Sequence, residues 1–204
     1  MKKNILIIIT VVLWIISVGI GFAGLYNYEF KSGAAGHLAI WWPTGSAIKR
    51  HNDAYQFVMV AHPRCPCTMA SLGELELIMA NGWGKVNAYV LFVKPKGFDT
   101  AWAETDLFKY ASKIPGVRVI IDDDGKQAKL FGGTTSGQTF LYDPQGHLIF
   151  TGGITDSRGH SGDNVGRSTV VALINHQPVD VHNTKFFGCL LNDRPEKIIA
   201  REKG

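Results

Sequence analysis

An apolar run without a single charged residue, from Ile5 to Tyr26, most constrains how this chain can fold. A run of this length crosses the hydrocarbon core of a bilayer as a helix, which takes about 20 residues. Lys2 and Lys3 precede the run, and no comparable lysine pair follows it directly. The positive-inside rule then places the N-terminus in the cytoplasm. The sequence therefore predicts a single-pass protein of the inner (cytoplasmic) membrane, with its domain in the periplasm or another extracytoplasmic space.

A cleavable signal peptide is the alternative interpretation of this segment. Signal peptides also begin with lysines and end in small residues, here Gly21, Ala23 and Gly24. The apolar run is longer than the usual signal-peptide core of roughly 7 to 15 residues. This length favours a retained membrane anchor over residues 1–26.

The formal net charge of +4 raises the question of a nucleic-acid partner. Two of the positive charges are Lys2 and Lys3, and the others are scattered among acidic residues. We therefore expect ordinary surface charge and no nucleic-acid partner. No glycine-rich segment has the spacing of a phosphate-binding loop, so no nucleotide site is predicted.

Strand-like and helix-like blocks alternate along the chain from residue 55 onward. The block 55–61 is rich in aromatic and β-branched residues, which is typical of a buried strand. In the block 67–79 apolar residues recur every three or four positions, which is typical of a helix with one buried face. The predicted elements are strands at 55–61, 86–93, 117–121, 138–142 and 147–151 and helices at 67–79, 103–112, 125–131 and 167–175. This order implies an α/β fold with a mixed central sheet and helices on both faces.

Two cysteines, Cys65 and Cys67, lie where the first strand of the domain meets its first helix. If Cys65 is the N-cap and Pro66 the first helical residue, the free amides of the first turn point toward the Cys65 sulfur. Helix N-termini and nearby cations, here Arg64 and His62, lower a cysteine pKa from about 8.5 to roughly 3.5 to 7.5. We therefore predict Cys65 as the nucleophile. Cys67 is predicted to resolve the mixed disulfide through a strained, easily reduced bridge.

A third cysteine, Cys189, lies in an apolar segment of the predicted C-terminal extension, 177–204. The extension follows a linker at 27–54 that we expect to pack on the domain, and the domain itself at 55–176. An odd cysteine count in a translocated protein leaves several interpretations open. Cys189 returns to the site as a third thiol, stays a buried free cysteine, or forms a structural bridge to Cys65 or Cys67.

The order of these motifs resembles that of the thioredoxin superfamily, with TlpA-like and peroxiredoxin-like members nearest. The resemblance is carried by the first strand, by His-Pro-Arg-Cys-Pro-Cys-Thr at 62–68, by Leu-Glu-Leu at 75–77 and by the hairpin sequence 138–146. It implies a three-layer thioredoxin-like fold with Cys65 at the first active-site cysteine of the family. Thr68 stands where the family has its second cysteine, so the motif is CxC. Gly137 stands where the family has a cis-proline.

Four segments together also resemble a bacterial group called RedB-like, namely 62–68, 135–138, 152–164 and 187–189. In a thioredoxin-like sheet the glycine-rich loop 152–164 can lie near the cysteines, where Arg158, His160 or Asp163 would serve as a base, substrate clamp or ligand. A network of caps and turns is the alternative interpretation of that loop. The residues predicted to shape the site are His62, Pro63, Arg64, Pro66, Thr68, Ser136, Gly137, Gln138, Arg158 and His160.

The leading function predicted from these features is thiol:disulfide exchange with a protein substrate and a separate redox partner, without a cofactor. The alternative is binding and delivery of Cu(I) by Cys65, Cys67 and His160, since thiolates select that soft ion. A third possibility is a thiol peroxidase, in which Cys67 or Cys189 resolves a sulfenic acid on Cys65. An interaction domain whose cysteines only form bridges is the remaining interpretation.

Overall fold

The computed structural model of the chain describes residues 2–34 and 36–191. The predicted C-terminal extension, 177–204, therefore lies outside the described residues beyond Leu191. The chain divides into two compact units, one ending at Lys31 and the other beginning at Ser32. The first unit is the helix α1 (Lys2–Phe30), which continues past the predicted end of the anchor at residue 26. Its segment Lys3–Phe30 is long and apolar enough to cross a membrane, and none of it is buried within the protein.

The second unit is built on one five-stranded mixed sheet, in the order β3-β2-β1-β4-β5. Strands β1, β2 and β3 are parallel, β4 is antiparallel to β1, and β5 is antiparallel to β4. The strands are β1 (Tyr55–Ala61), β2 (Val86–Lys94), β3 (Val117–Asp123), β4 (Thr139–Tyr142) and β5 (Leu148–Gly152). The helices of this unit are α2 (Pro66–Asn81), α3 (Asp106–Lys113), α4 (Lys126–Phe131) and α5 (Val165–Ile174).

Both faces of the sheet are covered, as the alternation along β1 shows. Successive side chains of a strand point to opposite faces. Phe57 and Met59 join the core made with α2, α3 and α5, whereas Val58 and Val60 join the core made with α4. The predicted α/β fold, with a mixed sheet between two layers, is confirmed.

The start of α3 is the main error in the predicted elements. The helix was expected to begin at Ala103, but a short 3₁₀ helix (Thr100–Trp102) ends there and α3 begins at Asp106. The hydroxyl of Thr105 donates a 2.8 Å hydrogen bond to the carbonyl of Pro63, which holds Thr105 in the extended N-cap conformation. A contact with a residue about forty positions away in the chain thus ends one helical segment and starts another. Apart from the end of α1, the other element ends differ from the predicted ones by at most two residues.

The segment that precedes β1 packs on the α4 side of the sheet. The ring of Trp42 lies edge-to-face against Phe131 and Tyr142, at centroid distances of 5.0 and 5.2 Å. The hydroxyl of Tyr142 donates a 2.8 Å hydrogen bond to the carbonyl of Ala39. Ile48 is buried in the same core. The segment therefore closes the core on this face of the sheet.

Replacing Trp42 with alanine is expected to destabilise the domain by roughly 3 kcal/mol, because the aromatic contacts under the linker are lost. The neighbouring Trp41 is 64% exposed, and its replacement by alanine is expected to cost less than about 1 kcal/mol. Thermal unfolding of the full chain in detergent micelles, followed by near-ultraviolet circular dichroism, measures both variants. An equal loss of unfolding free energy in the two variants would contradict the conclusion that Trp42 closes this core.

Candidate active site

The motif at the end of β1 has the predicted local geometry. Cys65 is the N-cap of α2 in an extended conformation, with φ −91° and ψ 119°, and Pro66 is the first helical residue. Proline suits this position because its missing N–H would have no helical partner there. Cys65 has no exposed surface, and Cys67 is 9% exposed.

A closed set of hydrogen bonds fixes the turn that carries the cysteines. The amide of His62 donates to Oγ of Ser136 at 2.9 Å, and that Oγ lies 2.8 Å from Oγ1 of Thr68. Oγ1 of Thr68 donates in turn to the carbonyl of His62 at 3.1 Å. All three side chains are buried, so each bond is protected from water. The position where the thioredoxin superfamily has a second cysteine is thus used by Thr68 to hold the turn.

The loop that faces the motif depends on Gly137. Its φ is +85°, and a Cβ at this position would lie 2.9 Å from Oγ of Ser71. The amide of Gly137 donates to the carbonyl of Val60 at 2.8 Å, which extends the antiparallel pairing with β1 to residues before the start of β4. The buried side chain of Gln138 accepts a 3.1 Å hydrogen bond from the amide of Thr134. Gly137 and Gln138 therefore hold the backbone against the end of β1 and do not point reactive groups at the cysteines.

The segment 184–191 brings Cys189 to the same loop. The amide of Ser136 donates to the carbonyl of Cys189 at 2.8 Å, and the amide of Leu191 donates to the carbonyl of Thr134 at 3.0 Å. These bonds flank an antiparallel bridge between Thr135 and Leu190. We call residues 184–191 the tail strand.

The tail strand packs closely against the backbone of Ser136 and Gly153. A Cβ at Gly188 would lie 2.0 Å from the carbonyl oxygen of Ser136. Two buried side chains, Phe186 and Phe187, hold the preceding residues on the domain. The amide of Gly153 also donates a 3.2 Å hydrogen bond to the carbonyl of Lys185. Among the interpretations of Cys189 from the sequence, the structure has the one in which its thiol returns to the motif.

The thiols of Cys67 and Cys189 both donate hydrogen bonds to the sulfur of Cys65. Hydrogen bonds from the thiol of Cys189, then from that of Cys67, hold the pKa of Cys65 well below its usual range. The backbone amides of Cys189 and Cys67 act in the same direction, against the desolvation of the buried sulfur. The pKa values of Cys67 and Cys189 are raised, because each thiol donates to Cys65 and both are partly buried. Of the three thiols, Cys65 is therefore the one whose thiolate its surroundings favour.

The cation beside the thiols is Arg158, in the glycine-rich loop between β5 and α5. Its guanidinium donates a 2.7 Å hydrogen bond to the carbonyl of Gly188. It also bonds to Cys67, and its charge works against the raised pKa values of Cys67 and Cys189. One arginine thus contacts a thiol of the motif and the backbone of the tail strand.

Arg64 and His62 were expected to lower the pKa of Cys65, and both side chains contact Trp102. The guanidinium of exposed Arg64 lies over the ring of Trp102, 5.1 Å from its centroid. The ring of His62 packs edge-on against the same indole, and its Nδ1 accepts a hydrogen bond from the amide of Arg64. Whether either side chain also lowers the pKa of Cys65 stays a prediction.

His160 is exposed on the outer part of the same loop. Its Nδ1 lies 2.8 Å from Oγ of Ser157 and 3.0 Å from the carbonyl of Arg158. Within residues 2–34 and 36–191, no group of three or more His, Cys, Asp or Glu side chains is arranged to hold a metal ion. Cys65, Cys67 and His160, the set proposed for copper, are not brought together as such a group, and copper binding stays a prediction.

Glu74 anchors the glycine-rich loop to α2, and the sequence interpretation missed it. Its carboxylate is 2% exposed and accepts hydrogen bonds from Nη1 of Arg167 at 2.6 Å and from the amide of Gly162 at 2.8 Å. Asn164 adds a third hydrogen bond and also caps α5. The signal was available, since Glu74 lies on the buried face of the helix beside Leu75.

We expect the alkylation rate of Cys65 to change little from about pH 8 to pH 5, because its lowered pKa keeps the thiolate as pH falls. An ordinary thiol would lose about tenfold per pH unit over that range. Iodoacetamide labelling with peptide mass mapping measures the profile. Arg64→Ala, measured alongside, reports whether Arg64, whose guanidinium lies over Trp102, contributes to this pKa. A midpoint near pH 8.5 in the wild type would refute the thiolate assignment.

Glu74→Gln is expected to destabilise the domain by roughly 3 kcal/mol, because it removes the buried carboxylate partner of the largely buried guanidinium of Arg167 and leaves only the exposed Asp163. Glu76→Gln, on the exposed side of the same helix, is the matched control and should cost less than about 1 kcal/mol. Thermal unfolding measures both variants. Comparable stability of the two proteins would show that the Glu74 contacts do not hold the loop.

No protein-family model matches this sequence, and a search of curated proteins found no match. Several solved structures are similar. A hypothetical protein from Sinorhizobium meliloti aligns with a TM-score of 0.60 at 16% identity, over 79% of this chain and 98% of that one. An uncharacterised conserved protein from Geobacillus kaustophilus aligns with a TM-score of 0.56 at 18% identity, over 82% and 96%. A secreted Mycobacterium tuberculosis disulfide oxidoreductase gives 0.43 at 12%, over 62% and 83%.

At these identities the likeness concerns the fold alone. The resemblance to the RedB-like group is not tested by these comparisons and stays a prediction. The topology is that expected from the sequence resemblance, with three parallel strands, an antiparallel hairpin and the cysteines at the junction of β1 and α2. The chain is therefore a protein of thioredoxin-like fold.

Proposed function

We propose that the chain is a thiol:disulfide oxidoreductase held at the inner membrane by α1, with its domain on the extracytoplasmic side. The observation that carries this proposal is the buried thiolate of Cys65, which accepts hydrogen bonds from the thiols of Cys67 and Cys189. A thiolate is the nucleophile of disulfide exchange, and a second thiol within reach completes the two-electron reaction.

The exchange proceeds in two displacements. The Cys65 thiolate attacks one sulfur of a substrate disulfide, forms a mixed disulfide and releases the other sulfur as a thiolate. A second thiol of the chain loses its proton and attacks Cys65, which forms an internal disulfide. The substrate leaves as a dithiol, and the chain has lost two electrons, which a dithiol partner restores. The same steps in reverse would oxidise a substrate.

Arg158 stabilises the negative charge that passes from one sulfur to another during the exchange. The second thiol is a poor nucleophile while it is protonated, and the pKa values of Cys67 and Cys189 are raised. The guanidinium of Arg158 favours the thiolate of either residue and remains charged throughout the reaction. It therefore stabilises whichever sulfur carries the charge before the second displacement.

The helix α1 and the thiol chemistry support the proposed location of the domain outside the cytoplasm. The apolar helix α1 and the lysines before it favour an anchor with the N-terminus in the cytoplasm. Stable disulfides belong to the oxidising side of the membrane. We therefore propose protein disulfides or thiols outside the cytoplasm as substrates, and a separate redox partner that resets the site.

Cu(I) delivery is the second candidate, because thiolates are the preferred ligands of that ion and three thiols lie together. Two of them donate hydrogen bonds to the third sulfur, and within the described residues no group of three His, Cys, Asp or Glu side chains is arranged to hold a metal ion. A thiol peroxidase would use the same thiolate with peroxide as oxidant. Copper content and peroxide consumption distinguish both candidates from disulfide exchange.

A redox titration of the full chain in detergent micelles, in glutathione buffers, is expected to show a reversible couple of two thiols. Alkylation of free thiols and intact mass report the oxidised fraction, and bound copper is quantified alongside. Cys65→Ser should abolish the couple, because the nucleophile is lost. Absence of a reversible couple in the wild type, or copper retained through Cys65 and Cys67, would overturn the proposal.

A further inference from the structure

We infer that Cys189 is the thiol that resolves the mixed disulfide on Cys65, and that the tail strand must leave its seat before a protein substrate reaches Cys65. This inference rests on the proposed function and assigns the second thiol, which the sequence had placed at Cys67. It is carried by the burial of Cys65, the pairing of the tail strand and the different freedom of the two candidate thiols.

The nucleophile is covered. Cys65 has no exposed surface, whereas Cys189 is partly exposed. Both the thiol and the backbone amide of Cys189 hydrogen-bond to the Cys65 sulfur. The tail strand thus lies directly over the atom that must attack. In-line attack on a disulfide sulfur needs access along the S–S axis, so a bulky protein disulfide cannot react while the strand is seated.

The edge of the loop 134–136, on which the tail strand lies, can also pair with an extended segment of a substrate. Beside Cys189 the strand is held to the loop 134–136 by backbone hydrogen bonds, from Ser136 to Cys189 and from Leu191 to Thr134. Backbone pairing of this kind does not depend on side chains, so another extended segment can replace it. Leu190, between the paired residues, is 57% exposed and anchors little. Leu191 itself is buried in the core on the α4 side of the sheet, so the part of the tail strand that must move is 188–190, between the buried side chains of Phe187 and Leu191.

Cys67 is less free to move than Cys189. It lies in the first turn of α2, and the helix continues through buried residues on the same face. Residues two apart on a helix do not face each other, and a bridge to Cys65 requires that the first turn distort. Cys189 approaches from a separate segment, and its thiol is the largest cause of the lowered pKa of Cys65. A bridge from Cys65 to Cys189 leaves α2 intact.

The resolving step balances without any further reactant. Once Cys65 carries the sulfur of the substrate, the thiol of Cys189 loses its proton and its thiolate attacks Sγ of Cys65. The bond from Cys65 to the substrate breaks, and the substrate sulfur leaves as a thiolate that takes up a proton. Arg158, hydrogen-bonded to the Gly188 carbonyl next to Cys189, is placed to stabilise the attacking thiolate.

Oxidised glutathione is the probe for the test, since it supplies the disulfide and is small enough to enter during brief opening of the strand. The full chain in detergent micelles is treated with it as wild type, Cys67→Ala and Cys189→Ala, and samples are quenched with acid over time. Intact mass follows the glutathione adduct, and digestion without reduction maps the disulfides. The wild type and Cys67→Ala should form the bridge from Cys65 to Cys189.

In Cys189→Ala the glutathione adduct on Cys65 should accumulate. The rate at which an internal disulfide forms should fall by on the order of 100-fold, since the intramolecular attack is lost. A wild-type bridge from Cys65 to Cys67, or resolution by Cys189→Ala at the wild-type rate, would overturn the inference and leave the proposed function standing. A wild type that never reacts reversibly would instead overturn the proposed function. The wild-type map and Cys189→Ala decide the question even if Cys67→Ala folds poorly.

Gly188→Ala tests the covering role without touching a sulfur. The added Cβ would lie 2.0 Å from the Ser136 carbonyl and unseat the tail strand, whereas Gly73→Ala on α2 meets nothing closer than 4.0 Å and is the matched control. Labelling of Cys65 by a bulky maleimide should rise at least about tenfold in Gly188→Ala. It should stay unchanged in Gly73→Ala. Equal labelling of the two variants would show that the strand does not cover Cys65.

Discussion

A negative charge on a sulfur without exposed surface is the constraint on which the rest of this site depends. Such a charge is costly to bury unless donors within the protein replace the lost water. Here the donors come from two places in the chain, the first turn of α2 and the tail strand. Arg158, from the loop between β5 and α5, adds positive charge beside the thiols that donate. The thiolate of Cys65 therefore exists only when segments far apart in sequence are assembled.

Thr68 shows why the motif has its unusual spacing. Its side chain has no exposed surface, and its hydroxyl completes the hydrogen bonds between Ser136 and His62. A cysteine at this position would supply a thiol but would form weaker hydrogen bonds in that set. With Thr68 committed to the turn, the additional thiols come from Cys67, one residue earlier, and from the tail strand. The CxC motif and the third cysteine thus belong to one arrangement.

The sequence predicted those parts of the site that depend on neighbours in the chain. The end of β1, Cys65 as N-cap and Pro66 at the first helical position follow from local preferences of strands and helix ends. The bounds of the central strands followed from runs of apolar residues, since a buried strand needs little outside information.

The sequence did not predict contacts between distant segments. Arg158 was one of several polar residues of its loop, and its role is apparent only from its hydrogen bonds to the Gly188 carbonyl and to Cys67. Arg64 was next to Cys65 in sequence and was credited with the cationic role for that reason. The start of α3 depended on the carbonyl of Pro63, and the path of the tail strand on the loop 134–136. Adjacency in sequence was a poor guide wherever the partner came from another element.

The pairing of the tail strand with the loop 134–136 makes the chain its own competitor for that edge. A segment tethered by a short stretch of chain acts at an effective concentration of about the millimolar level, well above that of most free partners. An incoming polypeptide gains access only in proportion to the fraction of molecules in which the edge is vacant, so its apparent affinity is lowered by that fraction. Segments that pair poorly with the edge are therefore rejected before any sulfur reacts. Selectivity would then be set by backbone complementarity as well as by redox potential.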